Sequence, residues 1–403
     1  MSHRHEALTA SSAEASALSS CGDWLGAIAG GTLHLISLVP PQRTLALVSG
    51  TASSVCFSPA SAGPPMLLSG GDDKVVRLWN SLPLCGTGDT ADAYPPSRTW
   101  THGKKINCVA FSPDASMAVW SDAFGEVHAV SLRGEAAEGA AAEAAPALVL
   151  GHLSPISHMA FSACGGALLT ADREGHVRLS LWPHAFVIEH YCLLHTTPLS
   201  LVLVLSRSPL VLTSAAEGGD ICVWRARSGS LLARQAAATL LGQAAAGQAA
   251  GEDAAAAASI RAEASGGGCD ASATQQSGSD VRRRREVASS QQSAVSVACA
   301  CEVPRQSLVA LAARGTSTVQ FCAPSLTPEP ASATLEPRPS LACDLSDTGA
   351  AIRALCHCDM LGELCVLLSN NTVVVIPTAD TGASSSAPTR TPMRLPPRMP
   401  LEV

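Results

Sequence analysis

The residues with the chemistry for catalysis are few and poorly grouped. Asp72 and Asp73 are adjacent, Asp172 opens a second polar turn, and His190 and His195 lie close together in sequence. Paired carboxylates can do general acid–base work, and two histidines can begin a metal site. Each aspartate, however, falls in a short turn between two apolar runs, where Asp side chains accept hydrogen bonds from backbone amides. Two histidines without further ligands read as surface or hydrogen-bonded side chains. The 15 cysteines include the close pairs Cys299/Cys301 and Cys356/Cys358 but no CxxC. Strand neighbours two apart are badly placed for a disulfide, so the expected state is free thiols in a reducing compartment. A glycine-rich phosphate loop, a nucleophile elbow and an HExxH helix are all missing from the sequence. The pattern points to recognition rather than catalysis.

One cation needs a separate account. In His176-Val177-Arg178-Leu179-Ser180-Leu181 the alternation has period two, which places Val177, Leu179 and Leu181 on one strand face and Arg178 on the other. A guanidinium in mid-strand needs solvent or a partner. Within the chain the candidates are Asp172 and Glu174 in the preceding turn, Asp172-Arg173-Glu174-Gly175. Outside it, the candidate is a carboxylate of another protein, which a guanidinium can engage through two parallel hydrogen bonds.

The elements that position these residues are repeats. Ser53 to Trp79, Ile106 to Val130 and Ile156 to Ser180 align: an apolar strand ending in Phe-Ser (Phe57, Phe111, Phe161), a turn, a second strand, a turn with Asp or Gly, and a third strand. His102-Gly103 and Gly151-His152 precede two of them, and Leu78-Trp79 ends one. These features resemble WD repeats, in which four-stranded blades stack around an axis because one blade cannot bury both its faces alone. Weaker repeats at Trp24 to Leu38, Leu201 to Leu232, Ala294 to Cys322 and Ile352 to Pro377 bring the expected total to seven. The predicted fold is an all-β, seven-bladed WD-repeat β-propeller with a disordered insertion between blades five and six. Its expected organisation is a flexible N-terminus at 1–19, blades one to five at 20–234, a low-complexity insertion at 235–290, blades six and seven at 291–378, and a flexible tail at 379–403. The insertion is rich in Ala, Gly, Ser and Gln, a composition that does not offset the entropy of ordering. The net charge of −7 argues against stand-alone nucleic-acid binding, which needs a cationic field. The most apolar run, Leu199 to Leu212, falls short of the ~20 residues of a membrane helix and contains Arg207.

Blade four carries a more specific likeness. Ala171-Asp172-Arg173-Glu174, then Val177-Arg178-Leu179-Ser180, then Ile188 to Leu193 with His195-Thr196, resembles the WD-repeat, non-catalytic subunit family of eukaryotic tRNA (guanine-N7-)methyltransferase. Ser121 to Val127 and Gly151-His152-Leu153-Ser154 fit the same family. Ala123 stands where the family has lysine, and Leu194 where it has glycine. The resemblance implies an accessory subunit that binds and stabilises the catalytic subunit as a heterodimer. That complex forms 7-methylguanosine in the tRNA variable loop. S-adenosylmethionine would sit on the partner, and this chain would hold no catalytic residue, cofactor or metal. The implied partner-binding residues are Arg178 first and Arg173 second, with Asp172 and Glu174 beside them. tRNA would be met indirectly through the complex, and no membrane would be involved. The implied compartment is the nucleus, with the cytoplasm as the other site; the run Arg282 to Arg285 fits nuclear import. The alternative reading is a generic WD-repeat scaffold or ubiquitin-ligase substrate adaptor, for which Trp224-Arg225-Ala226-Arg227 offers the only feature. An enzyme with its site in the central channel would need a ring of His, Asp or Glu that the sequence does not show.

Overall fold

A computed structural model describes residues 17–21, 23–38, 44–47, 49–59, 63–80, 94–133, 145–216, 219–241, 295–327, 332–358, 362–378 and 391–394. They form seven antiparallel sheets, each built on four consecutive strands paired in sequence order. Blade one comprises Ala17–Cys21, Trp24–Ala29, Thr32–Ser37 and Thr44–Leu47, and blade two Ala52–Phe57, Leu67–Gly71, Val75–Trp79 and Arg98–Thr101. Blade three is Ile106–Phe111, Met117–Asp122, Glu126–Ser131 and Ala147–Gly151. Blade four is Ile156–Phe161, Ala167–Asp172, Val177–Leu181 and Ile188–Cys192. Blade five is Leu199–Val204, Leu210–Ala215, Asp220–Arg225 and Leu231–Ala236. Blade six holds Val297–Val303, Leu308–Ala313, the long Thr318–Thr327 and Ser332–Pro337, with Cys343–Asp344 added against its third strand. Blade seven is Ile352–Cys358, Glu363–Leu368, Thr372–Pro377 and Thr391–Arg394. First strands of neighbouring blades touch all the way round the ring, and that of blade seven meets that of blade one. The architecture is a closed seven-bladed propeller with the first strands innermost.

Apolar clusters lie between the blades. One joins Leu169, Ala171, Val177 and Leu179 of blade four to Leu199, Val211 and Trp224 of blade five. Another joins Val119, Val127 and Leu150 of blade three to Ile156 and Leu168 of blade four. Each blade is thus covered on both faces. Among the described residues, no strand is exchanged across the seam between blades seven and one. It is closed by side chains: Leu25, Ala27 and Ile36 pack on Cys356, Cys358, Leu367 and Val373, and the Ser20 hydroxyl donates to the His357 carbonyl at 2.9 Å.

The element boundaries differ from the sequence expectation at both ends. The first strand begins at Ala17, inside the segment expected to be mobile. Thr391–Arg394, expected to lie in a loose tail, is the fourth strand of blade seven and pairs with Thr372 to Val375. An outermost strand needs backbone pairing but little burial. It carries no strong apolar alternation and tolerates Pro392 at its edge. Blade five ends in Leu231–Ala236 and a short helix, Ala237–Leu241, whose Leu240 and Leu241 are buried against blade six, so structure runs past the expected boundary at 234. Most of the expected insertion, and Arg282 to Arg285, lie outside the described residues. None of the 13 described cysteines is in a disulfide.

Candidate partner-docking site

Asp172 ends the second strand of blade four and organises the turn that follows. Its Oδ1 accepts the amides of Glu174 and His176, both at 3.0 Å. Its Oδ2 lies 3.3 Å from Nδ1 of both His152 and His176, and His152 Nε2 is 2.7 Å from the Thr170 hydroxyl. Blade three repeats the device: Asp122 Oδ1 accepts the amides of Phe124 and Glu126, and its Oδ2 is 3.1 Å from His102 Nε2. Burial alone would raise the Asp122 carboxyl, but the His102 contact and the two amides hold it below its ordinary value. In blade five Ala215 replaces the aspartate, and His195 and Trp224 both meet the Thr213 hydroxyl at 2.7 Å. The sequence expectation that Asp72, Asp73 and Asp172 cap backbone amides holds for Asp172 and for Asp73, which accepts the Val75 amide at 3.3 Å and also pairs with Arg77, whereas Asp72 forms an ion pair with Lys105. His195 is used within its blade, whereas His190 is exposed on an outer strand.

The turns themselves are shaped by close approach. Gly125 and Gly175 have φ of +91° and +87°. A Cβ at Gly125 would sit 2.5 Å from the Ser154 carbonyl oxygen, and one at Gly175 would sit 2.7 Å from that of Thr197. Only glycine suits both the left-handed backbone and that spacing. The turn after each second strand therefore lies against the loop entering the next blade. This sets the Phe124-Gly125 turn against the backbone of His152 to Ser154, and the Glu174-Gly175 turn against that of His195 to Thr197. Phe124 is 62% exposed, Leu153 fully so, and Leu194 partly. Lys104 Nζ lies 3.9 Å from the centre of the Phe124 ring, a cation–π contact. The neighbouring Lys105 pairs with Asp72 at 2.6 Å.

Of the four residues singled out in blade four, Arg173 and Glu174 are exposed and Asp172 is buried. Arg178 is only 8% exposed. Its Nη1 donates to the Gly151 carbonyl at 3.0 Å and its Nε to the Ser180 hydroxyl at 3.2 Å. Burial lowers its affinity for the proton, and the Tyr191 phenol opposes that shift. Among the described residues it makes no ion pair, so neither Asp172 nor Glu174 is its partner. Gly151 ends the last strand of blade three, so the guanidinium braces blade four against blade three. Blade two has the same strut. Arg77 occupies the matching register, opposite Ser69 as Arg178 is opposite Thr170, and donates to the Ser49 carbonyl at 2.9 Å. Opposite Leu168, Ser180 stands where blades two and five carry Trp79 and Trp224, and its hydroxyl gives the Arg178 Nε an acceptor that a tryptophan does not offer. Period two alone does not reveal this, because the polar face of a propeller strand is an interface between blades rather than a solvent face.

Several buried histidines make stability depend on pH. Burial, reinforced by the Arg178 charge, pushes His152 down; burial and Arg234 do the same for His195; burial lowers His34 and takes His158 down to about 4. A histidine whose folded pKa lies below its unfolded value near 6.5 contributes stability that is complete above that pH and is lost as pH falls toward the folded pKa. The melting temperature should therefore be level above pH 7 and fall between about 6.5 and 4.5, each unit of depression being worth about 1.4 kcal/mol. Thermal denaturation across that window checks it. A melting temperature that holds or rises on acidification contradicts the assignment.

Comparison with known proteins agrees with the geometry. Residues 133–318 match the family model described as the tRNA methyltransferase TRM82 WD40 domain, and residues 42–80 match the WD domain, G-beta repeat. The first match runs from the end of blade three into blade six. It begins after Ser121 to Val127, one of the segments that carry the likeness in the sequence, and runs well beyond His195-Thr196. Relatives include the tRNA (guanine-N(7)-)-methyltransferase non-catalytic subunit wdr4 of Dictyostelium discoideum, 29% identical over 177 residues, or 41% of this chain and 36% of that one. The subunit TRM82 of Kluyveromyces lactis is 30% identical over 175 residues, 42% of this chain and 38% of that one. The mouse subunit WDR4 is 41% identical over 88 residues, 21% of each chain. The alignments thus span well under half the length of these relatives. Among solved structures, a chain of the Mitotic Checkpoint Complex matches with a TM-score of 0.57 at 11% identity, covering 87% of this chain and 82% of that one. The WD40 propeller domain of Doa1 matches with a TM-score of 0.51 at 13% identity, over 89% and 91%. At such identities these structures speak to the fold alone. The chain is a seven-bladed WD-repeat propeller, and its likeness across blades four to six is to the WD-repeat, non-catalytic subunits of tRNA (guanine-N7-)methyltransferase.

Proposed function

We propose that this chain is the non-catalytic WD-repeat subunit of a tRNA (guanine-N7-)methyltransferase. It binds the catalytic subunit as a heterodimer and stabilises it while that subunit forms 7-methylguanosine in the tRNA variable loop. S-adenosylmethionine is held by the partner, and tRNA is met through the complex. The observation that carries this reading is the family match across blades four to six. The contribution of this chain is binding energy that favours the partner's active arrangement.

The docking surface in this proposal is the end of blades three and four that carries Phe124, Leu153, Arg173, Glu174 and Leu194. Exposed aromatic and aliphatic side chains next to an exposed arginine are the kind of anchors that dominate interface energies. Asp172 and Arg178 act from beneath, one shaping the turn and the other bracing the blade. Co-expression with the catalytic subunit and affinity capture test this. Wild type should retain the partner. The Phe124→Asp/Arg173→Glu double variant should lose most of it, by about tenfold or more in affinity, with an unchanged melting temperature. Full retention by that variant would remove this surface from the account.

A further inference from the structure

The inner strands share one irregularity that points to a second site. In six blades the register of the first strand slips at its second residue: Ser53, Asn107, Ser157, Ser200, Ala298 and Arg353. These positions line one level of the central channel. Just outside them, a rim is formed by the residue after each second strand. Asp72, Ala123, Arg173, Ala216, Arg314 and Ser369 each donate their amide to the carbonyl of the residue preceding that blade's first strand. The rim lies at the same end of the propeller as the turns of blades three and four. Across blades five to seven it opens into a cavity of about 530 Å³.

We propose that this cavity binds a phosphate-bearing ligand. Arg314 and Arg353 line it, both exposed, and none of its lining residues is acidic. Arg314 makes no ion pair among the described residues. In blade two, by contrast, the rim-level charge of Asp72 is matched by Lys105 at 2.6 Å. Ser296 and Ser369 add hydroxyls to the wall. The Ser369 Oγ accepts the Ala351 amide at 3.1 Å, so its own proton remains to be donated. Ala216, Ala298 and Ala351 keep the floor open where longer side chains would fill it. A space lined by two arginines and two serines suits an anion with several acceptor oxygens and more than one charge. A phosphate offers both, and a carboxylate offers fewer of each. The ligand is a small phosphate ester or the terminal phosphate of a larger molecule, which this site would recognise alike.

Isothermal titration of the full chain with inorganic pyrophosphate at constant ionic strength tests the proposal. Wild type should show saturable binding, and Arg314→Ala should weaken it about tenfold or more. Arg353→Ala should weaken it similarly. Arg133→Ala, which removes an exposed arginine paired with Asp114 at 2.8 Å at the other end of blade three, should leave it unchanged. Non-saturable binding, equal binding by Arg314→Ala, or acetate binding as tightly as pyrophosphate would overturn the assignment. A short 5′-phosphorylated oligonucleotide and its unphosphorylated twin separate the sources. Competition by the phosphorylated form alone supports a terminal phosphate, and competition by neither supports a small ester. Equal competition by both would show general attraction for a backbone and contradict the site.

Discussion

Arg178→Glu should lower the melting temperature of the isolated chain by on the order of 5–10 °C, the consequence of losing roughly 3–5 kcal/mol. The guanidinium sits between blades three and four, bonded to the Gly151 carbonyl and the Ser180 hydroxyl. A carboxylate there would face the Gly151 carbonyl oxygen in a buried setting, without the donors that the guanidinium supplied. Arg178→Met separates charge from packing. It keeps most of the apolar stem but leaves the Gly151 carbonyl without its donor, and should cost about 1–3 kcal/mol. A direct docking role makes the opposite forecast, that Arg178→Glu loses the partner while the isolated chain melts as before. Thermal denaturation of the chain alone, beside capture of the catalytic subunit, distinguishes the two. If the melting temperature of Arg178→Glu matches wild type, the strut assignment fails.

The second large effect is at the seam. Each blade is made of consecutive strands, so among the described residues side-chain packing and hydrogen bonds such as Ser20 to His357 join blade seven to blade one. Leu367 lies in that contact, fully buried against blade one. Leu367→Ala removes three carbons from a packed site and should cost about 2–5 kcal/mol. Hydrogen exchange should show the loss first in blades one and seven, because opening there breaks the ring without unfolding the other blades. Uniform destabilisation of all seven blades would contradict a seam-localised weakness.

Much of this was legible in the sequence. The Phe-Ser strand ends, the Asp turns and the glycines at 125 and 175 marked the central repeats, because turn geometry and apolar alternation are local properties. The seven-blade count followed from them. The outermost strands were harder to read: Thr391–Arg394 pairs with the third strand of blade seven and has no apolar alternation in its sequence. The environment of Arg178 was hidden for a different reason. Alternation assigned it to the non-core face, and only the stacking of blade four on blade three turns that face inward. The exposed members of the same stretch, Arg173 and Glu174, needed the turn geometry to place their turn against the loop at His195 to Thr197. The nuclear expectation comes from the resemblance, and its local support, Arg282 to Arg285, lies outside the described residues.

The most direct measurement is guanine-N7 methylation of tRNA by the catalytic subunit with and without this chain. Methylation should rise strongly when the two are co-expressed, both proteins should elute together, and the Phe124→Asp/Arg173→Glu variant should lose the stimulation while still folding. A catalytic subunit that methylates tRNA equally well alone, and never co-elutes with this chain, would contradict the account.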